Sequence, residues 1–223
     1  MGGEGRNRYD ADVSAPIAIA RYVQGFTSSP LGRWSAWTPW ALTSAAAAVV
    51  RELLTELGGQ DFSTTGDVAI HRTATIETGA VLKGPLVVGA HCFIAAGAYL
   101  RGGNWLAEGC TIGPGAELKS SFVFAGSSLA HFNFVGDSIL GAEVNLEAGS
   151  IVCNHRNERA NREIVVREGG SPHHTGVEKF GALVGDRTRI GANAVIAPGT
   201  LLHPATVVAR GASLDQDVAE RGS

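Results

Sequence analysis

A histidine at position 131, a glycine-bounded turn at 148–149, and cations at 101 and 119 are groups of this sequence suited to act together. An unperturbed imidazole titrates near neutral pH, so His131 can take a proton from a reacting group at pH 7. The turn Ala148-Gly149 can offer a backbone N–H to a developing oxyanion. Arg101 carries a fork that grips a phosphate through two hydrogen bonds, and Lys119 carries a compact point charge. Taken singly these are ordinary residues: a turn histidine held by backbone groups, or two solvated charges. They become a site only if the fold aligns them.

The aligning pattern is a six-residue beat. From Ile70 a large apolar residue recurs at Ile76, Leu82, Val88, Ile94, Leu100, Leu106, Ile112, Leu118 and Phe124. It returns at Phe134, Leu140, Leu146 and Val152, and again at Val184, Ile190, Ile196, Leu202, Val208 and Leu214. Four residues after most of these anchors stands a small or β-branched residue or a cysteine, as at Ala74, Ala80, Cys92, Ala98, Cys110 and Ala116. A helix needs a period of 3.6 and a plain strand a period of 2. A period of six with a second fixed position fits a parallel β-helix. The exceptions to the small-residue rule, Leu86, Asn104 and Phe122, are 18 residues apart, so three hexads should close one coil and stack these three.

Arg101 and Lys119 are also 18 apart, each directly after an anchor. They should therefore sit on adjacent coils, about 4.8 Å apart. Two cations so close repel, which favours an anion between them, with Glu117 as an internal partner. Cys92 and Cys110 should stack as small core residues. Three cysteines, an odd number, do not form a disulfide framework.

Phe124 and Phe134 are ten residues apart, so a bulge carrying His131 is expected between them. Before the beat, "TPWALTSAAAAVVRELLTELGG" reads as one helix. Thr38 caps it, Pro39 opens it, Val50, Leu53, Leu54 and Leu57 share a face, and Gly58-Gly59 ends it. Its expected task is to plug the open end of the solenoid, with Trp34, Trp37 and Trp40 as packing. Residues before Ile17 are expected to be partly ordered at best. The division is an N-terminal segment with capping helix, 1–65, and a β-helix, 66–218, carrying a long loop at 155–180.

The net charge of −3 over 223 residues argues against nucleic-acid binding by bulk electrostatics. No apolar run approaches the 18 residues of a membrane span, and "APIAIA" is too short for a signal peptide. The expectation is a cytoplasmic protein. The other histidines form no H-x4-H pair, so no metal site is expected.

The stretch "AHFNFVGDSILGAEVNLEAGSIVCN" resembles the acetyltransferase domain of the bifunctional sugar-1-phosphate nucleotidylyltransferase/acetyltransferases, the archaeal type above all. Their H-x-x-Y-x-G-D motif reads here as His131, Phe134, Gly136 and Asp137. Their N-x-G-A-G-T-x-x-x-N motif reads as Asn145, Ala148, Gly149 and Asn154. The Pro39-Trp40 helix resembles the one joining the two domains of those enzymes. The resemblance implies an all-β fold, a left-handed parallel β-helix of hexapeptide repeats with an N-terminal helical cap, working as a homotrimer with sites between subunits. It implies acetyl-CoA as co-substrate, contacted at Ala148 and Ala192, and no metal. It makes His131 the general base, Ala148 an oxyanion donor and Asn154 an orienting group. Arg101, Glu117, Lys119, Phe134 and Asn145 would bind the acceptor, together with Lys179, which falls on the lysine of "EKFGALVGD".

Two departures stand out: Phe134 replaces the family's tyrosine, and the loop 155–178 has no counterpart of that length in the common bacterial enzymes, although the archaeal type also carries a long loop there. No Gly-rich nucleotide loop stands near the N-terminus, so the expectation is a stand-alone acetyltransferase half. The expected reaction is acetyl-CoA-dependent N-acetylation of an amino-sugar 1-phosphate such as glucosamine 1-phosphate. The alternatives are a nucleotide-linked amino sugar as acceptor, or a non-catalytic β-helix serving assembly. The joint presence of His131, Asn145, Asn154, Lys119 and Arg101 speaks against the last.

Overall fold

The structure, a computed structural model, describes residues 17–217; the expectation for residues before Ile17, and the β-helix boundary at 218, lie outside them. Three sheets form the walls of a prism: wall A of eight strands, and walls B and C of seven each. On wall C the residues Leu82, Leu100, Leu118, Val135, Val152, Ile196 and Leu214 pair in succession, all parallel. They belong to the central core, with Cys92 and Cys110 also buried in it. Three hexads thus make one coil, as expected. Each strand is short because only its anchor and the small residue two before it point inward, and the chain must then turn a corner.

The expected bulge is absent. Val123 pairs with Leu106 and Leu140, and Val135 with Leu118 and Val152. Two consecutive coils therefore have 17 residues, each short by one at the corner from wall C to wall A. Phe124 and Phe134 are not anchors: Phe124 faces the outer side of wall A, and Phe134 lies half-buried on the outside of wall C. His131 stands on an ordinary corner between walls B and C. The beat misleads here because Val123-Phe124 and Phe134-Val135 are apolar pairs, so counting by six lands on the wrong member.

The shortened corners also change one column. Leu86 pairs with Asn104, but Phe122 pairs with Trp105, so Ser121 follows Asn104. Asn104 Oδ1 accepts the N–H of Ser121 at 3.0 Å. Ser121 Oγ accepts that of Ser138, and Ser138 Oγ that of Ala182, both at 3.1 Å. Buried backbone donors at the tight corners are satisfied by this ladder of side chains.

The expected single helix is two, α1 (Pro39–Ser44) and α2 (Ala46–Glu56), broken at Ala45, with Thr38 capping the first by accepting from Ala41 N at 3.3 Å. They do not plug the solenoid end. With residues 17–38 they lie along the outside of wall A, where Ile17, Tyr22, Phe26, Leu42, Val50 and Leu53 bury Val87, Trp105, Phe122, Ile139 and Leu183. Wall A is apolar on both faces and so requires a cover, as any sheet buried twice does. At Gly103 an added β-carbon would meet the backbone of Ala46 and Ala47 at 2.6–2.7 Å, so glycine lets α2 approach. The open edge of wall A is closed instead by β1 (Phe62–Thr65), antiparallel to β2 (Val68–His71). Trp34 and Trp40 pack within this cover; Trp37 is 41 % exposed, edge-on to Trp34.

Between Val152 and Ala182 the chain leaves the coils. Its hairpin, Val165–Glu168 with Ser171–His174, adds Ile164 and Val166 to the same cover. Arg156, 2 % exposed, fixes the excursion by donating to Asp215 at 2.6 and 2.7 Å and to the Pro198 carbonyl at 3.0 Å. Arg159 and Arg167 both reach Asp217. No described helix is long and apolar enough to cross a membrane.

Candidate active site

The strand Phe134–Gly136 crosses wall C and carries a different group of residues at each end. At its start His131 is exposed, and its carbonyl accepts the Gly149 N–H from the next coil at 2.9 Å. Among the described residues none hydrogen-bonds its imidazole. The neighbouring Phe132 is 73 % exposed with φ of 51°, and its ring lies across Gly115. A bulky residue in the left-handed region is uncommon and is held only where its surroundings demand it.

At the far end Asp137, 5 % exposed, accepts two hydrogen bonds from Lys119 Nζ, at 2.8 and 2.6 Å, and one from Asn154 Nδ2. Its backbone is fixed as well: its N–H donates to Lys119 O at 2.8 Å and its carbonyl accepts Gly181 N–H at 2.9 Å. Gly136 makes the arrangement possible. A β-carbon there would meet the Asn154 amide at 2.6 Å and the Phe134 ring at 2.9 Å, so both side chains fold over the bare backbone.

Arg101 is beside Lys119 in register, one coil away. Its Nε and Nη2 donate to Glu117 Oε1 at 2.8 and 2.7 Å, and Glu117 neighbours Phe134. The two stacked cations are therefore each matched by a carboxylate: Arg101 by Glu117, Lys119 by Asp137. An incoming anion would share these cations with their carboxylates rather than fill an uncompensated gap. Lys179 reaches the same end of the strand, in a cleft of about 370 Å³ lined by Ser44, Asp137, Val177 and Glu178.

The remaining expected residues lie on the other side of the His131 corner. Asn145 is exposed on wall B, between Ser128 and Arg189. Ala148 is one coil beyond His131 on the same corner. Of the two N–H groups in that turn, Gly149's is already taken by His131 O, while Ala148's donates to no described residue. The Ala192 N–H donates to Glu147 Oε2 at 2.9 Å. The Arg210 guanidinium, then the Ala192 N–H, hold the Glu147 carboxyl below the usual carboxylate range.

Sequence reasoning gave Asp137 no role, although it is the hub joining Lys119 to Asn154. The signal was its place after Gly136 at a shortened corner, invisible while the beat was counted by six. Ser44 and Glu178 were also missed, because only the fold brings α1 and the end of the long loop together.

No family model matches this chain. It is 33% identical over 153 residues to the bifunctional sugar-1-phosphate nucleotidylyltransferase/acetyltransferase of Sulfurisphaera tokodaii, a match covering 69% of this chain and 38% of that protein. It is 28% identical over 183 residues to the bifunctional protein GlmU of Methanococcus maripaludis, covering 81% and 44%. With GlmU of Acinetobacter baumannii it is 34% identical over 172 residues, covering 74% and 33%. The chain thus spans less than half the length of these curated relatives. Among solved structures, the acetyltransferase domain of PglB from Neisseria gonorrhoeae in complex with acetyl coenzyme A aligns at 13% identity, with a TM-score of 0.30, over 79% of this chain and 72% of that one.

Proposed function

We propose that this chain, which resembles the bifunctional sugar-1-phosphate nucleotidylyltransferase/acetyltransferases, is an acyltransferase that moves an acetyl group from acetyl-CoA to the amine of an amino sugar bearing an anomeric phosphate, such as glucosamine 1-phosphate. One observation carries the reading. His131 and the Lys119–Asp137–Asn154 group stand at opposite ends of a three-residue strand, roughly 10 Å long at about 3.3 Å per residue. Glucosamine 1-phosphate carries its amine on C2 and its phosphate on the adjacent C1, so an acceptor lying over the middle of the strand would present both groups to side chains that reach inward from its two ends, the His131 imidazole from one and the Lys119 ammonium from the other.

In the reaction the neutral amine attacks the thioester carbonyl, and His131 takes the proton the nitrogen sheds as the N–C bond forms. The Ala148 N–H faces the oxyanion, the contribution expected of a fixed backbone dipole. The C–S bond then breaks, and the proton held by His131 passes to the departing thiolate. Arg101 and Lys119 hold the phosphate, while Glu117 and Asp137 fix their head groups so that little side-chain freedom is lost on binding. Phe134 covers the sugar between them.

Asn145 and Ala192 lie beyond the His131 corner from Lys119, which supports a site completed by a second copy, in a homotrimer. Wall A is covered by the chain itself. Walls B and C leave Phe93 and Val207, and Val81 and Val195, exposed, and apolar side chains on two flat walls favour such assembly.

The test is release of free thiol from acetyl-CoA against a panel of amino sugars and their phosphates. Turnover confined to phosphorylated amines supports the proposal. A chain with no turnover and no thermal shift with acetyl-CoA is instead a non-catalytic β-helix, because any ligand of the folded state must stabilise it.

A further inference from the structure

The cation pair on wall C has a third member. Lys83 N donates to Leu100 O at 2.8 Å, and Leu82, Leu100 and Leu118 pair in register. Lys83, Arg101 and Lys119 therefore occupy the same place on three successive coils, a ladder roughly 10 Å long at about 4.8 Å per coil. The rungs differ in one respect. Arg101 has Glu117 and Lys119 has Asp137, whereas Lys83 is exposed and pairs with no carboxylate among the described residues. Its partner is the ring of Tyr99, with Nζ 5.0 Å from the centroid. The Arg101 guanidinium lies 5.8 Å from the same centroid. One aromatic ring thus meets two cations of adjacent coils, and one of those cations has no counter-charge among the described residues.

The direction of the ladder matters. Phe134 pairs with Glu117 on the coil after Lys119's strand, and His131 precedes it. A sugar lying over Phe134 would have its phosphate at Lys119 and Arg101, and any group attached to that phosphate would continue toward Lys83 and Tyr99. We infer that Lys83 and Tyr99 form a second anion subsite continuous with the first, so that the preferred acceptor is an amino sugar linked to a nucleoside diphosphate. The phosphate next to the sugar lies at Arg101 and Lys119. The outer phosphate lies at Lys83, and the Tyr99 ring offers an apolar face to the nucleoside beyond it. This rests on the acyl-transfer reading above and narrows its substrate.

The experiment compares UDP-glucosamine with glucosamine 1-phosphate as acceptors, on the wild-type protein and on Lys83→Gln, an exposed change that leaves the core untouched. The diphosphate-linked sugar should show a KM lower by about tenfold, the effect of one hydrogen bond to a charged group. Lys83→Gln should remove that advantage and leave the KM for glucosamine 1-phosphate unchanged. Equal KM values in the wild type, or a loss shared equally by both acceptors, would overturn the subsite. UDP alone, read by thermal shift without acetyl-CoA, separates this claim from the catalytic one. A shift in the wild type that Lys83→Gln abolishes supports the subsite even where neither sugar turns over, an outcome that would defeat only the acyl-transfer reading. Absence of any shift with UDP would overturn the subsite even in an active acetyltransferase.

Discussion

Lys119 Nζ and the Asp137 carboxylate are joined across two neighbouring coils by hydrogen bonds of 2.8 and 2.6 Å, one to each oxygen. The pair is largely shielded from water, with side-chain exposures of 16% and 7%. Removing one member of such a pair strands the other charge, and for a buried pair that costs about 3–5 kcal/mol. Asp137→Asn should therefore lower the melting temperature and raise the KM for the sugar phosphate. Adding Lys119→Met should restore much of the melting temperature, because no lone charge remains, and should leave the phosphate KM high. A double variant that recovers neither property would mean that Asp137 serves the corner backbone and not Lys119.

His131 lies on an exposed corner and contributes only its carbonyl to the fold. His131→Ala should leave the melting temperature and the oligomeric state nearly unchanged and lower turnover by about 10²–10⁴, the usual contribution of a general base. Wild-type turnover in that variant would remove His131 from the mechanism.

Phe134 folds over Gly136 beside the Asn154 amide, and in the proposed site this face meets the acceptor sugar. Phe134→Tyr adds one hydroxyl there. A single hydrogen bond is worth about 0.5–1.5 kcal/mol, so the acceptor KM should fall by a modest factor. A large loss of activity would show that the chain uses the bare ring for a less polar acceptor.

The three-walled solenoid was legible because the anchors repeat wherever a strand must point one large residue inward. Pairing of Arg101 with Lys119 followed from the same count. The beat failed between Leu118 and Leu140, where the apolar pairs Val123-Phe124 and Phe134-Val135 hide two one-residue deletions, and with it went the roles of Ser121 and Asp137. The cap was misjudged for a different reason. The apolar face of α2 specifies that something is buried, but not that the outer side of wall A, rather than the solenoid end, buries it. Lys179 was placed beside Asp137 only by the fold, because its position depends on the long excursion before it.

The excursion itself makes an acid-sensitive element. Asp215 is held below the usual carboxylate range, first by its hydrogen bonds from Arg156. A carboxylate whose folded-state pKa is depressed contributes stability above its unfolded pKa, and that contribution fades as pH falls through the folded value. Segment 153–181 should thus gain protease sensitivity or amide exchange below about pH 4, the ordinary carboxylate pKa, before the coils do. Asp215→Asn should show the loosened segment already at pH 7 and flatten its pH dependence. A segment equally protected at both pH values in the wild type would contradict this.

The central claim, that wall C holds the phosphate of an amine acceptor, is tested most directly by kinetics of Arg101→Ala with a phosphorylated and an unphosphorylated amino sugar. The account predicts a KM for the phosphorylated acceptor raised by the equivalent of about 1.5–3 kcal/mol, the range for a hydrogen bond to a charged group. It predicts an unchanged KM for acetyl-CoA and little effect on the already poor unphosphorylated sugar. Equal losses on both sugars would show that Arg101 only supports Glu117 and the wall, and the claim would fall.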